Sequence, residues 1–283
     1  MSVRPVWQQW ADVVVVGTGV AGLAAALAAH RAGRSVVVLS KAARKSGVTA
    51  THYAQGGIAV VLPDNPENAD SVDIHVADTL AAGAGLCDAD AVTSIVADGY
   101  RAVTELVSNG ARFDKGVDGR WALTREGGHS RRRILHAGGD ATGAEVQRVL
   151  DHAAAALNIR TNHTVLRLLH DAGSGTEAVT GVLAANSHGI GIINAPAVVL
   201  ATGGLGQLYG ATTNPSGSTG DGIALALWAG VAVSDIEFIQ FHPTMLYDGS
   251  GRGAGNRRPL VTEAIRGEGA VLVDSQGNSV TAG

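Results

Sequence analysis

The sequence predicts an α/β fold built on a parallel β-sheet, and three observations lead to this prediction. Asp12–Val16 (DVVVV) and Ser35–Leu39 (SVVVL) are short apolar runs rich in valine, typical of strands buried on both faces. Between them lies an alanine-rich stretch with helical character, which Gly33 is expected to end. This strand–helix–strand order predicts a βαβ unit near the start of the chain.

Further elements extend this architecture. Helical spacing covers Ala69–Leu80 and Asp88–Asn109. The stretch Thr161–Val199 is expected to form strands and turns, which makes it a β-rich insertion between the helices and the next core strand. Ala197–Leu200 is a further buried strand, and Gly222–Gly230 is predicted to be helical.

The composition argues against several classes of partner. The formal net charge is -4, so no general attraction to nucleic acid or to an anionic lipid surface is expected. Arg131–Arg133 is the densest basic stretch and is interpreted as a solvated turn. The sequence has neither an apolar run of 18 residues nor an apolar signal stretch at its start. These observations favour a cytoplasmic protein without membrane contact.

Cysteine chemistry is also restricted. Cys87 is the one cysteine in the sequence, which excludes an internal disulfide and a thiolate metal cluster. A structural role is expected for it, and no metal site is predicted.

The glycine-rich turn after the first strand is a candidate phosphate site. Gly17, Gly19 and Gly22 form the pattern G-x-G-x-x-G between a strand and a helix. The first glycine permits the tight turn, the second lets a pyrophosphate approach the backbone, and the third allows close packing of helix and strand. The helix amino terminus adds unpaired N–H groups and a positive dipole end. The turn therefore predicts dinucleotide binding.

The end of the second strand leaves the nucleotide open. An acidic residue often stands there and holds the ribose, but this chain has Ser40 and Lys41. Ser40 can hydrogen-bond a ribose, whereas Lys41 favours a phosphate. The turn by itself therefore does not separate FAD from NAD or NADP.

Longer motifs carry a family resemblance. They occur in the order HYAQGG (52–57), LTREGGHSRRRILH (123–136), DATG (140–143), VVLATGG (198–204), TTNP (212–215), STGDGIALA (218–226), EFIQFHPT (237–244) and TEAIRGEGA (262–270). This series closely resembles the L-aspartate oxidases, a family within the succinate dehydrogenase and fumarate reductase flavoprotein superfamily. The resemblance extends from about residue 12 to residue 270.

The resemblance implies a Rossmann-like FAD-binding domain over residues 1–236, with a parallel sheet, helices and a β-rich insertion. Residues 237–283 would begin an α+β capping domain. Asp221 is expected both to contact the flavin and to cap the following helix. The implied FAD-binding residues are Gly17, Thr18, Gly19, Val20, Ala21, Gly22, Ser40, Lys41, Ala50, Thr51, His52, Tyr53, Ala54, Gln55, Gly56, Gly57, Ala201, Gly203, Gly204 and Asp221.

The attachment of FAD is expected to be noncovalent. Membrane-associated members of the superfamily usually tether FAD through a histidine five residues before the glutamine of the AQGG motif. The corresponding position here is Ala50, which cannot form that bond, and His52 has a different spacing.

The substrate residues also follow from the resemblance. Glu126 corresponds to a glutamate of the L-aspartate oxidases, where the dicarboxylate enzymes have an uncharged residue. A buried carboxylate there would attract the α-ammonium of L-aspartate and repel succinate or fumarate. Gln240, His242, Thr262 and Glu263 match the family's substrate pocket. Their side chains supply hydrogen bonds for substrate carboxylates, except that Glu263 could instead orient its neighbours.

The implied reaction is oxidation of L-aspartate to iminoaspartate, with oxygen or fumarate as electron acceptor. This is the first step of quinolinate and NAD biosynthesis, so quinolinate synthase is a natural partner. Relatives continue beyond the last matching motif and supply a catalytic arginine there, so we expect this chain to be a fragment. Arg252, Arg257, Arg258 and Arg266 do not lie in the corresponding segment. Two alternatives stay open, a soluble fumarate reductase or succinate dehydrogenase-type flavoprotein and a non-catalytic flavin-binding fragment.

Overall fold

The computed structural model describes residues 4–43, 49–63, 69–171, 178–246, 257–262, 265 and 269–280. Its helices are α1 (Val20–Arg31), α2 (Val72–Ala82), α3 (Ala89–Ser108), α4 (Thr142–Ala153) and α5 (Asp221–Trp228). Its strands are β1 (Trp7–Trp10), β2 (Val13–Val16), β3 (Val36–Leu39), β4 (Ile58–Ala59), β5 (Leu123–Thr124), β6 (Ile134–Leu135), β7 (Asn158–Arg160), β8 (Thr164–His170), β9 (Val179–Asn186), β10 (Gly189–Asn194) and β11 (Ala197–Leu200).

Contacts divide the chain into two compact units. The first comprises residues 1–53, 146–243 and 247–259, and the second comprises residues 54–145, 244–246 and 260–283. These boundaries differ from the predicted domains 1–236 and 237–283, which remain a prediction.

A four-stranded parallel sheet organises the first unit. Its strand order is β11-β2-β3-β7, and every neighbouring pair runs parallel. The predicted βαβ unit is β2–α1–β3, and Gly33 follows the helix with a φ of +74°. Val14 and Val15 of the central strand are fully buried, as expected for a strand covered on both faces.

A second sheet of the first unit has the order β1-β10-β9-β8. Strands β8, β9 and β10 are antiparallel neighbours and lie in the predicted β-rich stretch, whereas β1 pairs parallel with β10 and was not predicted. The indole of Trp7 covers Gly191, where a Cβ atom would lie 1.9 Å from the ring. One hydrophobic core joins the two sheets, with Val37, Leu168 and Ile193 among its members.

The second unit contains α2, α3 and a small antiparallel sheet of order β4-β6-β5. The Ser71 hydroxyl accepts the Ile74 N–H (3.2 Å) at the start of α2, and the Asp88 carboxylate accepts the Ala91 N–H (2.9 Å) at the start of α3. These caps explain why α2 begins three residues later than predicted, since a capping side chain fixes the first turn. Among the described helices, none is both long and apolar enough to cross a membrane.

Cys87 packs close to the end of α2. Its thiol is half-buried, and its Sγ atom lies 3.9 Å from the carbonyl oxygen of Thr79. In the described part of the chain, no cluster of His, Cys, Asp and Glu side chains has the arrangement of a metal site.

Arg133 carries a buried charge, so the interpretation of Arg131–Arg133 as a solvated turn is wrong for its third residue. The Arg133 side chain is completely buried and donates two hydrogen bonds to Asp70 (2.9 and 2.7 Å) and one to Asp78 (2.6 Å). Hydrogen bonds from the Ser130 N–H and from Arg133 hold the pKa of Asp78 well below its usual value. The two carboxylates compensate the desolvated guanidinium, which explains its burial.

Breaking this network is expected to destabilise the second unit. The variant Arg133→Ala leaves two carboxylates without their buried partner, which costs about 3–5 kcal/mol. Urea denaturation followed by circular dichroism measures this loss. The neighbouring Arg132 is exposed, so Arg132→Ala is the matched control and should change the unfolding free energy by less than about 1 kcal/mol. Equal losses in the two variants would contradict the assigned role of Arg133.

The helices α1 and α3 differ in how they use glycine. A Cβ atom at Gly22 in α1 would lie 2.1 Å from the carbonyl oxygen of Gly17, whereas a Cβ atom at Gly99 in α3 would meet no atom within 4 Å. The backbone oxygen at Gly17 cannot move aside as a side chain could. Close packing of α1 on the preceding turn therefore requires glycine at position 22.

Alanine is expected to have opposite effects at these two positions. Gly22→Ala should destabilise the chain by about 1–3 kcal/mol because the turn must shift to admit a methyl group. Gly99→Ala should stabilise it by up to about 1 kcal/mol because alanine has the higher helix propensity. Thermal and urea unfolding of both variants measure the two changes, and a stabilising Gly22→Ala would refute the packing argument.

Candidate functional site

A cleft of about 580 Å³ lies in the first unit, at the carboxyl ends of the parallel strands. Strands β2, β3 and β11 end at Val16, Leu39 and Leu200, and the residues that follow each strand line the cleft. Open parallel sheets bind ligands at this edge, because the loops that leave the strands meet there. The topology therefore makes this cleft the candidate ligand site.

The predicted phosphate turn forms one wall of the cleft. Gly17 has a φ of +121°, and a Cβ atom there would lie 2.1 Å from the carbonyl oxygen of Ala201. Helix α1 begins after Gly19, which supplies no side-chain cap. The hydroxyl of Thr51 instead accepts the Val20 N–H at 2.9 Å. The first turn of α1 is thus capped by a residue from another segment of the cleft wall.

The ammonium group of Lys41 pairs with the carboxylate of Asp221 and is therefore not a free phosphate-binding group. Its Nζ atom donates to Asp221 Oδ2 and to Thr219 Oγ1, each at 2.6 Å, and Thr219 Oγ1 donates to Asp221 Oδ1 at 2.5 Å. Burial alone would raise the pKa of Asp221, but the hydrogen bonds from Lys41 and Thr219 outweigh it and lower that pKa. A ligand phosphate at Lys41 would meet the Asp221 charge, so this site disfavours NADP.

Asp221 does not cap helix α5, and that part of its predicted role is wrong. The N-cap is Gly220, whose left-handed backbone leads into the helix without a side-chain hydrogen bond. Asp221 is the first helical residue, and its carboxylate is engaged by Lys41 and Thr219 instead. It nevertheless lines the cleft, where a flavin contact was predicted.

The loop after β11 supplies the opposite wall. Ala201, Thr202 and Gly203 line the cleft, and α5 packs closely against this loop. A Cβ atom at Gly222 would lie 2.1 Å from Thr202 Oγ1, so this contact also requires glycine. Thr202 was not among the predicted residues, although it lies inside the ATGG motif.

Most of the predicted cofactor residues of the first unit line the cleft, but several do not. Gly22 is buried beneath Gly17, and His52, Tyr53 and Gly204 belong to the first unit without being among the lining residues. Ala54, Gln55, Gly56 and Gly57 belong to the second unit. The predicted residues that line the cleft are Gly17, Thr18, Gly19, Val20, Ala21, Ser40, Lys41, Ala50, Thr51, Ala201, Gly203 and Asp221.

His163 lines the cleft and was missed by sequence reasoning. Its Nδ1 atom lies 2.7 Å from the carbonyl oxygen of Thr161, and its Nε2 atom lies 2.9 Å from the amide nitrogen of Asn186. A carbonyl only accepts and an amide NH₂ only donates, so Nδ1 carries the hydrogen and Nε2 accepts. Both ring nitrogens are therefore engaged, and His163 offers carbon atoms to a ligand. No sequence motif marks it, since it precedes an ordinary strand, β8.

The predicted substrate residues are divided between the units. Gln240 is exposed and His242 is half-buried, two residues apart on an irregular segment of the first unit. Glu126 and Thr262 belong to the second unit. Glu263 lies outside the described residues, as do Arg252 and Arg266. Each unit thus carries a part of the predicted substrate set.

The structure pairs Glu126 with a histidine. Its carboxylate was predicted to be buried, but the side chain is partly exposed. Its side chain is 42% exposed, and its Oε1 atom lies 3.2 Å from Nε2 of His136. The same nitrogen lies 3.0 Å from Thr124 Oγ1. His136 directly follows β6, and a Cβ atom at Gly57 would lie 3.0 Å from its ring. The small sheet thus places His136 between the AQGG motif and the loop that carries Glu126.

The cleft has the features required for a dinucleotide. It combines a glycine turn, the amino-terminal end of a helix, two close backbone contacts and a wall rich in small residues. Its charged lining residues, Lys41 and Asp221, neutralise each other. The residues present therefore fit FAD.

Comparisons with known proteins agree with this geometry. A family model described as "FAD binding domain" matches residues 12–282. The L-aspartate oxidase of Mycobacterium tuberculosis is 77% identical over 279 residues, covering 99% of this chain and 51% of that protein. The L-aspartate oxidase of Streptomyces coelicolor is 56% identical over 277 residues, covering 96% of this chain and 46% of that protein. The chain spans about half the length of the curated relatives it matches.

A solved structure of a quinol fumarate reductase from E. coli shares the fold. It superposes with a TM-score of 0.83 at 35% identity, over 96% of this chain and 44% of that one. This likeness confirms the predicted flavoprotein fold, a parallel sheet with helices and a β-rich insertion. The matching family model and the fit of the cleft confirm FAD as the cofactor. The chain belongs to the FAD binding domain family.

Proposed function

We propose that this chain is the FAD-binding part of an enzyme that oxidises L-aspartate to iminoaspartate. The observation that carries the proposal is its 77% identity to proteins named L-aspartate oxidase over almost its whole length. When bound, FAD supplies the two-electron acceptor for this reaction, and oxygen or fumarate would take the electrons on. The product would feed quinolinate and NAD biosynthesis, with quinolinate synthase as partner and the cytoplasm as location.

Binding of the FAD pyrophosphate and ribose is assigned to the first unit. The residues of the turn, Gly17 to Ala21, would hold the pyrophosphate, and Ser40 would bond a ribose hydroxyl. The segment Ala50 to Gly57 would continue along the cofactor toward its reactive ring. Ala50 stands where a covalent tether would need a histidine, which supports noncovalent binding.

Recognition of L-aspartate is assigned to the five residues that match the family's substrate set. Oxidation to iminoaspartate removes one hydrogen from Cα and one from the amino nitrogen. Glu126 would attract the α-ammonium group, and His136 would hold the Glu126 carboxylate in place. Gln240, His242 and Thr262 would hydrogen-bond the substrate carboxylates. Glu263 would orient these neighbouring side chains. Residues 237–283 would begin the capping domain that brings these groups to the substrate.

The experiment that tests the proposal is an anaerobic titration of the flavin absorption band. The protein is a chimera of this chain with the carboxy-terminal half of the M. tuberculosis relative, loaded with FAD. We expect L-aspartate to bleach the band and succinate to leave it unchanged. Bleaching by succinate alone would refute L-aspartate oxidation. It would favour the second candidate, a fumarate reductase or succinate dehydrogenase-type activity, which the structural likeness at 35% identity supports.

The chain without that second half is expected to bind FAD and to remain oxidised with L-aspartate. In the relatives the catalytic arginine lies beyond the last matching motif, so residues 1–283 by themselves should not be reduced by L-aspartate. Bleaching of the FAD-loaded chain by L-aspartate would contradict that expectation, while leaving the assignment of the substrate intact.

Glu126 should determine the preference for an amino-acid substrate. In the chimera, Glu126→Gln removes the charge that attracts the α-ammonium, so KM for L-aspartate should rise by up to about fivefold. Inhibition by succinate should strengthen, because a repulsive charge is lost. Steady-state kinetics with succinate as inhibitor measure both effects. Glu105→Gln in α3 is the control with the same chemical change, and an equal shift in both variants would rule out a specific role for Glu126.

A further inference from the structure

Gln147 of helix α4 is a buried amide behind the cleft wall. Its exposed fraction is 5%, and it is not among the residues that line the cleft. Its Nε2 atom donates to the carbonyl oxygen of Thr18 and to Asp151 Oδ1, each at 3.1 Å, and its Oε1 atom accepts from Thr49 Oγ1 at 2.7 Å. None of these contacts follows from a sequence motif.

The direction of every hydrogen bond in this network is determined. The Thr18 carbonyl and the Asp151 carboxylate can only accept, so the NH₂ group of Gln147 must face them. Thr49 Oγ1 accepts the His52 N–H at 3.0 Å, so the hydroxyl hydrogen of Thr49 is available for Gln147 Oε1. Both N–H groups and the oxygen of the amide are therefore engaged. Such a closed network holds its members in one arrangement.

The network joins two segments that face the cleft. Thr18 belongs to the phosphate turn, and Thr49 begins the segment that continues through Thr51 and His52. The same two segments are joined a second time by the Thr51 hydroxyl, which accepts the Val20 N–H. Among the described residues, Gln147 and Thr51 thus each link the turn to this segment through hydrogen bonds.

We propose that Gln147 is a positioning residue for FAD. It holds the Thr18 peptide in the orientation in which the phosphate turn faces the pyrophosphate, and it holds the segment after Thr49 beside that turn. Gln147 itself touches no ligand. The proposal rests on the FAD cofactor alone and is independent of the substrate that the enzyme oxidises.

The variant Gln147→Glu tests the proposal on the chain itself. Glutamate has the same length and shape, but it loses both N–H donors and places a negative charge beside the Thr18 carbonyl and Asp151. Titration of FAD with the protein, followed by quenching of flavin fluorescence, gives Kd. We expect Kd to rise about tenfold, because the Thr18 carbonyl loses its buried hydrogen bond from Gln147.

If Gln147 only stabilised the fold, its substitution would lower the melting temperature without changing Kd for FAD. A control variant is expected to show this behaviour. Asn109→Asp makes the same amide-to-carboxylate change at the end of α3, where the amide donates to the Glu105 carbonyl (2.8 Å) and lines no part of the cleft. It should lower the melting temperature and leave Kd for FAD unchanged. If Gln147→Glu also lowers the melting temperature but keeps Kd within twofold of the original, the proposal is overturned.

A double-mutant cycle gives a second, independent readout. Gln147→Leu and Thr49→Val each remove one end of the same hydrogen bond, so their effects on log Kd should not add. Additive effects would mean that the two residues act separately, which overturns the linked network. If Gln147→Leu does not fold, Thr49→Val decides the question by itself. An increase in Kd of at least threefold supports the network, and an unchanged Kd refutes it.

Discussion

The first unit depends on the direct contact between backbone segments at the edge of its parallel sheet. The turn after β2 passes against the loop after β11, and helix α1 packs against that turn with no side chain between them. Glycine at positions 17 and 22 is the condition for both contacts. The same contacts bring the end of α1 to the mouth of the cleft, so the packing that stabilises the sheet also forms the phosphate site.

In the second unit, a buried ionic network takes the place of close backbone packing. This unit buries the Arg133 guanidinium, which two carboxylates neutralise, and the Ser130 N–H donates a hydrogen bond to one of these carboxylates. The loop between β5 and β6 leads from Glu126 to Arg133, so the buried end of that loop is fixed by charge. The exposed end carries the Glu126 carboxylate, which meets His136. Apolar packing fixes the first unit, whereas an ionic network anchors this loop.

Local sequence signals were sufficient for the parts of the fold that depend on neighbours in sequence. Valine runs and the glycine pattern predicted the central strands, helix α1 and the phosphate turn, whereas the other predicted residues that line the cleft came from the family resemblance. Contacts between residues distant in sequence were not predictable in this way: Arg133 meets Asp70 over 63 positions, and Gln147 meets Thr18 over 129. Strand β1 was missed because only four residues of alternating character mark it.

The pairing of Lys41 with Asp221 also governs how the cleft responds to its solvent. Salt screens the attraction between an exposed basic side chain and a phosphate, so the affinity of basic pockets for phosphates falls as salt is added. Here the ammonium already has an internal counterion, and the pyrophosphate site relies on backbone dipoles at the end of α1. Occupancy of this cleft is therefore buffered against changes in ionic strength, a property that resides in two side chains 180 positions apart.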